Sequence, residues 1–155
     1  MPSVYIAAPL FSLAEISFNA GLRESLAPYL TVYLPQQNGG LVVELSKGAT
    51  SVLEARRLVF QRDIAAIQSC DFVVIVLDGR VVDEGASFEL GFAYALGKEC
   101  VGLKTDSRQL LPSGDNPMIS GALSQTFSSV DQLVEWARVR HDDLGRSGVS
   151  DRGAP

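Results

Sequence analysis

The chain has 155 residues, of which 46% are hydrophobic, and its formal net charge is −5. This length and hydrophobic content predict one folded domain and argue against disorder. The negative charge argues against nucleic acid as a partner, and no apolar run approaches the roughly eighteen residues that a membrane span needs. The first residues lack a basic segment and include Glu15, which argues against a signal peptide.

Cysteine and histidine usage narrows the possible chemistry. The two cysteines, Cys70 and Cys100, lie beside or within apolar runs, which predicts buried, reduced thiols and a cytoplasmic location. The single histidine, His141, lies near the C-terminal end, so the sequence offers neither a His/Cys zinc cluster nor a plausible Ser-His-Asp triad. Catalysis by this chain would therefore depend on carboxylates.

Strands and helices are predicted in alternation along the chain. The predicted strands are Ser3–Ala8, Thr31–Leu34, Phe72–Leu77, Cys100–Lys104 and Gln125–Phe127. The predicted helices are Ser12–Leu26, Ser51–Ser69, Ala86–Leu96 and Ser129 to about Arg140, the first two opening on Ser-x-x-Glu capping boxes. Long loops are expected over Gln36–Thr50 and Thr105–Met118. Residues 1–141 are expected to form the domain, and residues 142–155 a disordered tail.

This alternation predicts an α/β fold with a parallel sheet covered by helices on both faces. Five strands favour the flavodoxin-like, doubly wound order 2-1-3-4-5, in which strands one and three are neighbours. The crevice at their carboxyl ends is the expected ligand site. The loops Ala8–Phe11 and Asp78–Ser87 should meet there.

Two acids near this crevice are candidates for chemistry. Glu89 is placed in the first turn of the third helix, between apolar neighbours, where the helix dipole would favour its anion. Asp83 precedes it by six residues, across a junction that contains Gly85. Such a pair can divide the work between an attacking carboxylate and one that exchanges a proton. The pattern by itself also fits two solvated acids on a surface.

Two further residues have a structural and a functional interpretation. Asp63 is spaced with Phe60 and Ile67 on one helix face, which indicates an inward orientation, although a surface ion pair with Arg62 is the commoner arrangement. Tyr5 lies in the first strand, where a buried hydroxyl needs a partner. The sequence has no P-loop and no G-x-G-x-x-G after this strand.

Together these segments resemble the nucleoside 2-deoxyribosyltransferase family. The resemblance rests on VYIAAPLF, YLPQQ, FQRDIAAIQSCDFVVIVLDG, DEGASFELGFAYALGK and GDNP, of which the fourth is the most specific. It implies a flavodoxin-like fold and base exchange between 2′-deoxyribonucleosides and free nucleobases, with neither metal nor organic cofactor. It also implies a homo-oligomer.

The resemblance carries roles to individual residues. Glu89 matches the nucleophile, Asp83 the acid tied to protonation of the base, and Tyr5 the hydroxyl that holds the nucleophile. The residues expected to contact substrate are Asp63, Phe11, Gln36, Gly85 and Asn116, the last often across a subunit interface.

Related 2′-deoxynucleoside 5′-monophosphate glycosidases share the ELG helix but hydrolyse their substrate. They use polar and basic residues in the first loop to meet phosphate, whereas this loop reads APLFS. A catalytically silent nucleotide-binding module is a third interpretation, and it would not need Asp63, Asp83 and Glu89 together with Tyr5. The sequence therefore predicts a retaining transferase that uses a covalent deoxyribosyl-glutamate intermediate.

Overall fold

The computed structural model describes residues 1–38, 51–108 and 114–147. The strands are β1 (Ser3–Ala7), β2 (Thr31–Tyr33), β3 (Phe72–Val76), β4 (Glu99–Leu103) and β5 (Gln125–Phe127). The helices are α1 (Leu13–Leu26), α2 (Pro35–Asn38), α3 (Val52–Ser69), α4 (Glu84–Ala95), α5 (Pro117–Ser120) and α6 (Val130–Ser147). Within these ranges, no helix has the length and apolar character needed to cross a membrane.

The five strands form one parallel sheet in the order β2-β1-β3-β4-β5, which confirms the predicted topology. β1 pairs with β2 on one side and β3 on the other, so that Tyr5 faces both Tyr33 and Val73 in register. The chain adds β2 on one side of β1 and then adds β3, β4 and β5 on the other side. The crevice beyond the carboxyl ends of β1 and β3 is therefore the topological switch point.

Alternating side chains of the strands face two separate apolar cores. Val4 and Ile6 of β1 belong to a core under α1 and α6, whereas Tyr5 and Ala7 belong to a core under α3 and α4. Both sheet faces are therefore covered by helices, as the near-continuous apolar sequence of β3 predicts.

The first predicted capping box is complete in the structure, and the second is present through its serine. The Ser12 hydroxyl accepts a hydrogen bond from the Glu15 amide while the Glu15 carboxylate accepts one from the Ser12 amide, which completes a capping box. The Ser51 hydroxyl accepts from the Glu54 amide at the start of α3. Each such cap stabilises its helix by about 1 kcal/mol.

The structure differs from the predicted elements in several places, besides shifts of one or two residues at element ends. The short helices α2 and α5 overlap the segments that are predicted as loops, Gln36–Thr50 and Thr105–Met118. The last helix extends to Ser147 rather than ending near Arg140. Residues 39–50 and 109–113 of the two predicted loops, and residues 148–155 of the predicted tail, lie outside the described residues. The division of the chain at residue 141 stays a prediction.

Paired aspartates hold the loop that leads from β3 into α4. Asp78, two residues after the end of β3, accepts hydrogen bonds from the backbone amides of Thr105 and Asp106. Asp106 in turn accepts from the amide of Gly79, whose φ of 108° lies in the left-handed region that favours glycine. The loops after β3 and β4 are thereby tied together beside the switch point.

Candidate active site

A hydrogen bond between β1 and α4 forms the middle of the candidate site. Tyr5 is fully buried, and its hydroxyl donates to Glu89 Oε1 at 2.6 Å. This contact holds the position and the rotamer of Glu89, and it becomes charge-assisted when Glu89 is ionised. The predicted contact of the Tyr5 hydroxyl with Glu89 is present in the structure.

The predicted position of Glu89 in the first helical turn was wrong. Helix α4 begins at Glu84, which is earlier than the predicted start at Ala86, so Glu89 lies in the second turn. The favourable field of a helix N-terminus falls off within the first turn. The helix dipole is therefore not what governs the ionisation of Glu89.

Burial governs the ionisation of Glu89 instead. Burial raises the pKa of Glu89 to about 8, the hydrogen bond from Tyr5 lowers it, and the negative charges of Asp63 and Asp83 raise it. The pKa of Tyr5 is raised chiefly by its own burial and also by Glu89, so its hydroxyl keeps its proton and remains a donor. The site combines a carboxylate that is costly to ionise with a donor aimed at it.

Asp63 lies on the other wall of the crevice. Its side chain is partly buried, as its helical spacing predicts, and its Oδ1 accepts a hydrogen bond from the Tyr33 hydroxyl at 3.4 Å. Burial raises the pKa of Asp63 to about 6, while Tyr33 and the positive charge of Arg62 lower it. Asp63 is therefore mostly ionised at neutral pH, in contrast to Glu89.

Two adjoining cavities of about 380 and 230 Å³ lie around these carboxylates. The larger cavity lies between α3 and α4, and the smaller one extends to the end of β1. Both are lined by Val59, Asp63, Gly85 and Glu89. Glu89 therefore lies where the two cavities meet. A ligand that fills both cavities would place the bond between its two parts beside Glu89, within reach of attack by the carboxylate.

Asp83 and Gly85 shape the start of α4. Asp83 caps the helix, with Oδ1 accepting from the Ala86 amide at 2.8 Å, and it lines the smaller cavity. A Cβ at Gly85 would lie 3.1 Å from Asp83 Oδ1, so any larger residue would press on this carboxylate. The structure thus brings Asp83, Gly85 and Glu89 to one cavity wall.

Phe11 lines the smaller cavity from the loop after β1, although its side chain is 80% exposed. Gln36 is instead engaged with α1, because its amide oxygen accepts from Asn19 and its amide nitrogen donates to the Ile16 carbonyl. Asn116 caps α5 through the Met118 amide and is not among the residues that line the two cavities beside Glu89. Base contact by Gln36 and substrate contact by Asn116 stay predictions.

Sequence reasoning missed two polar residues of this region. Tyr33 was assigned only to a strand, although parallel pairing with β1 places it beside Tyr5. Asn19 is buried on α1, and its amide donates to both the Pro9 carbonyl and Gln36. A polar residue on the apolar face of α1 was the available signal for Asn19.

Metal binding has no side-chain cluster to support it in the described ranges. No group of three or more His, Cys, Asp or Glu residues among residues 1–38, 51–108 and 114–147 is arranged to hold a metal ion. Cys70 and Cys100 are free and buried on the α3/α4 side of the sheet.

A doubly wound sheet with carboxylates at its switch point is typical of α/β proteins that bind a small ligand there. The sequence profile described as nucleoside 2-deoxyribosyltransferase matches residues 4–143, and the chain belongs to this family. The family comprises enzymes that act on nucleosides or nucleotides. A search of curated protein sequences found no match.

Solved structures share this fold. A conserved protein from Enterococcus faecalis V583 is 29% identical with a TM-score of 0.76, covering 90% of this chain and 99% of that one. A 2-deoxyribosyltransferase from Bacillus psychrosaccharolyticus is 24% identical with a TM-score of 0.69, covering 85% of this chain and 90% of that one. A CMP N-glycosidase from Clostridium botulinum is 16% identical with a TM-score of 0.54, covering 86% of this chain and 96% of that one.

Proposed function

We propose that this protein transfers the 2-deoxyribosyl group of a 2′-deoxyribonucleoside to a second nucleobase through a covalent intermediate on Glu89. The observation that carries the proposal is the 2.6 Å hydrogen bond from Tyr5 to Glu89 at the meeting point of two cavities. Family membership supports the class of substrate.

The reaction proceeds by two displacements. A carboxylate oxygen of Glu89 attacks C1′ as the C1′–N bond breaks, and the electron pair of that bond leaves with the base. Asp83 gives the proton that the leaving base takes up. An incoming base then attacks C1′, the C1′–O bond to Glu89 breaks, and Asp83 recovers a proton from the new base. Two inversions retain the original anomer.

Ionisation of Glu89 sets the pH dependence of this mechanism. Only the anion attacks C1′, and the pKa of Glu89 is raised to about 8 by burial. The value of kcat/KM should therefore rise through about pH 8 in the free enzyme. Tyr5 offsets part of the cost of burial, because its hydroxyl donates to the charged form.

The smaller cavity supports an unphosphorylated nucleoside as the substrate. The loop after β1 that lines it carries Leu10 and Phe11, and no lysine or arginine lies between Ala8 and Ser12. A phosphate is usually held by basic side chains or by a glycine-rich nest of backbone amides.

Hydrolysis is the second candidate reaction, and the openness of the larger cavity favours it. Phe60 and Phe88 line this cavity and are 56% and 54% exposed, so water can reach Glu89 in a single chain. Water attacking the deoxyribosyl-enzyme would give free deoxyribose. The choice between the two reactions depends on what covers this opening.

We propose that a second copy of the chain covers it. Helices α3 and α4 carry four large apolar side chains that are each more than half exposed, Leu53, Phe60, Phe88 and Tyr94, and the rings of Phe60 and Phe88 contact each other. Asn116 is exposed and lines neither cavity within its own chain, which fits a contribution to a neighbour's site.

Mixing inactive Asn116→Ala and Glu89→Ala chains should restore part of the activity. A fully active protein with the light-scattering mass of one chain contradicts this arrangement.

The deciding experiment for the reaction uses deoxyinosine with and without adenine, followed by chromatography of both bases and both nucleosides. Transfer yields deoxyadenosine only when adenine is present. Formation of hypoxanthine and deoxyribose alone, or cleavage of the 5′-monophosphate alone, supports the hydrolase instead.

We also propose a cytoplasmic location for this nucleoside chemistry. The free thiols of Cys70 and Cys100 fit a reducing compartment.

The intermediate can be trapped with a 2-deoxy-2-fluoro-arabinosyl nucleoside, because the fluorine slows departure of the sugar from the enzyme. Intact mass spectrometry should show one added sugar per chain, and peptide mapping should place it on Glu89. A label on any other residue would overturn the role of Glu89.

A further inference from the structure

Two tyrosines lie side by side beneath the candidate site. Tyr5 of β1 and Tyr33 of β2 are register partners in the parallel sheet, so their side chains lie on the same face. Their rings stack with centroids 5.4 Å apart and an interplanar angle of 12°. Stacking holds the two rings parallel and presents both hydroxyls toward α3 and α4.

Each hydroxyl donates to a different carboxylate. Tyr5 donates to Glu89 at 2.6 Å, and Tyr33 donates to Asp63 Oδ1 at 3.4 Å. The second bond is the longer of the two, so Tyr33 is a weaker donor to Asp63 than Tyr5 is to Glu89. Asp63 and Glu89, the two carboxylates that line both cavities, therefore each accept a hydrogen bond from a different tyrosine.

We propose that Tyr33 is a positioning residue, which holds Asp63 as an oriented hydrogen-bond acceptor for an N–H or amino group of the nucleobase. This proposal rests on the proposed function for the identity of the ligand. Its geometric basis is independent of the reaction, since it consists of the strand register, the ring stacking and the hydroxyl-to-carboxylate contact.

The charge state of Asp63 decides whether it can accept. Burial raises the pKa of Asp63 to about 6, and the Tyr33 hydroxyl lowers it by stabilising the anion. The titratable and charged groups around Asp63 come from its own helix and from the three neighbouring elements. They are Arg56 and Arg62 on α3, Tyr5 on β1, Tyr33 on β2, Glu89 on α4 and Asp83 at the start of α4.

Removing the Tyr33 hydroxyl should therefore protonate Asp63 at a higher pH. Tyr33→Phe keeps the ring that stacks on Tyr5 and removes only the donor, so the sheet should be undisturbed. A lost hydrogen bond of ordinary net strength corresponds to about threefold to tenfold in the ionisation equilibrium. The titration midpoint of Asp63 should then move upward by about 0.5 to 1 pH unit.

The first measurement is ¹³C NMR of the intact protein labelled at aspartate side-chain carboxyls, titrated from pH 4 to 9. Asp63→Asn identifies the Asp63 signal by its disappearance. Tyr29→Phe is the matched control, because Tyr29 contacts His141 on the opposite side of the sheet. An upward shift in Tyr33→Phe alone supports the proposal. Identical Asp63 titrations in wild type and Tyr33→Phe overturn it.

The second measurement is calorimetric binding of free adenine and hypoxanthine as a function of pH. Tyr33→Phe should bind about threefold to tenfold more weakly near pH 5, where the upward shift of the Asp63 titration removes most of its anion, and the difference should vanish above pH 8, where Asp63 is ionised in both proteins. Equal binding at every pH overturns the positioning role even if the NMR titration shifts. A wild-type protein without deoxyribosyl transfer refutes the proposed reaction, and the NMR titration still decides the role of Tyr33.

Discussion

The two faces of the sheet are built for different purposes. The α1/α6 face buries large apolar side chains, among them Leu22, Leu26, Leu133 and Trp136. The α3/α4 face buries Tyr5 and is packed in large part by small residues, namely Ala66, Ala86, Ala93, Cys70 and Cys100. Both cavities beside Glu89 open on this second face.

The α1/α6 face therefore contributes mainly to stability, and the α3/α4 face holds the groups available for chemistry. A fully buried leucine contributes roughly 1.5–3 kcal/mol, so the α1/α6 face stabilises the domain directly. On the α3/α4 face burial acts against ionised groups, and the raised pKa values of Glu89 and Asp63 express that cost. Substitutions on the two faces should therefore affect different measurements.

The largest effect is expected from Glu89→Ala. Without the nucleophile, deoxyribosyl transfer should fall by more than about 10⁴-fold, while the folded state is retained because no buried apolar contact is lost. Transfer is measured by base exchange and folding by circular dichroism. Glu84→Ala, an exposed acid in the first turn of the same helix, is the control and should stay active. Near-normal transfer by Glu89→Ala would contradict the assignment of the nucleophile to the α3/α4 face.

Asp83→Asn should have the next largest effect. Asparagine caps a helix as well as aspartate, so α4 should keep its start while the proton donor is lost. Transfer should slow by about 10²–10⁴-fold, and most for bases that need protonation to leave. Comparing kcat/KM for nucleosides with easy and difficult leaving groups tests this, with Glu84→Gln as control. An equal loss for all bases assigns Asp83 to binding instead.

Leu133→Ala tests the opposite face. Leu133 is fully buried in α6, so its truncation should lower the free energy of unfolding by about 2–5 kcal/mol. The folded fraction should retain kcat/KM within about twofold, because no contact to the cavities changes. Denaturant unfolding and base-exchange kinetics measure the two quantities. Val139→Ala, on the same helix but 40% exposed, should be nearly neutral. A large loss of kcat/KM would show that the faces are coupled.

Tyr5→Phe should have a milder effect than removal of the nucleophile. It deletes the hydroxyl that donates to Glu89, a bond to a charged group that corresponds to about 10- to 100-fold in rate. Because that bond lowers the pKa of Glu89, the rise of kcat/KM with pH should also move to higher pH. Tyr29→Phe is the control. A pH profile unchanged from wild type would indicate that Tyr5 only fills space.

The smallest effect is a gain in stability in Glu89→Gln. The pKa of Glu89 is raised by folding from its ordinary value to about 8, so the folded state binds the proton more tightly than the unfolded chain. Wild-type stability should therefore fall as pH rises between about 4.5 and 8, and glutamine removes this loss. The Tm of Glu89→Gln should exceed that of wild type by at least several °C at pH 8, with a smaller difference at pH 5. Equal Tm values at pH 8 would contradict the burial argument.

The fold could be predicted in detail because its signals are local. The alternation of apolar runs with helical periodicity, the prolines after the first two strands and the Ser12–Glu15 cap all act over a few residues. The strand order followed from the number of strands and from parallel connections. Helix boundaries were less secure, and the early start of α4 moved Glu89 out of the first turn.

The candidate site could be predicted in part. The motif around Glu89 identified the carboxylates, and the neighbouring strands one and three indicated that Tyr5 could reach Glu89. The competing partners of Gln36 could not be predicted, because Asn19 and Ile16 approach it only once α1 packs on the sheet. Local spacing carries no information on such contacts between distant elements.

The sequence by itself therefore determined the α/β order of elements, the helix caps and the acids available for chemistry, since each depends on neighbours along the chain. Only the tertiary structure decided that Tyr33 meets Asp63 and that burial raises the pKa of Glu89. Strand register places residues 5 and 33 side by side, and helix packing partly buries Glu89. Both effects require segments that are far apart in the chain to come together before the chemistry of any one residue is defined.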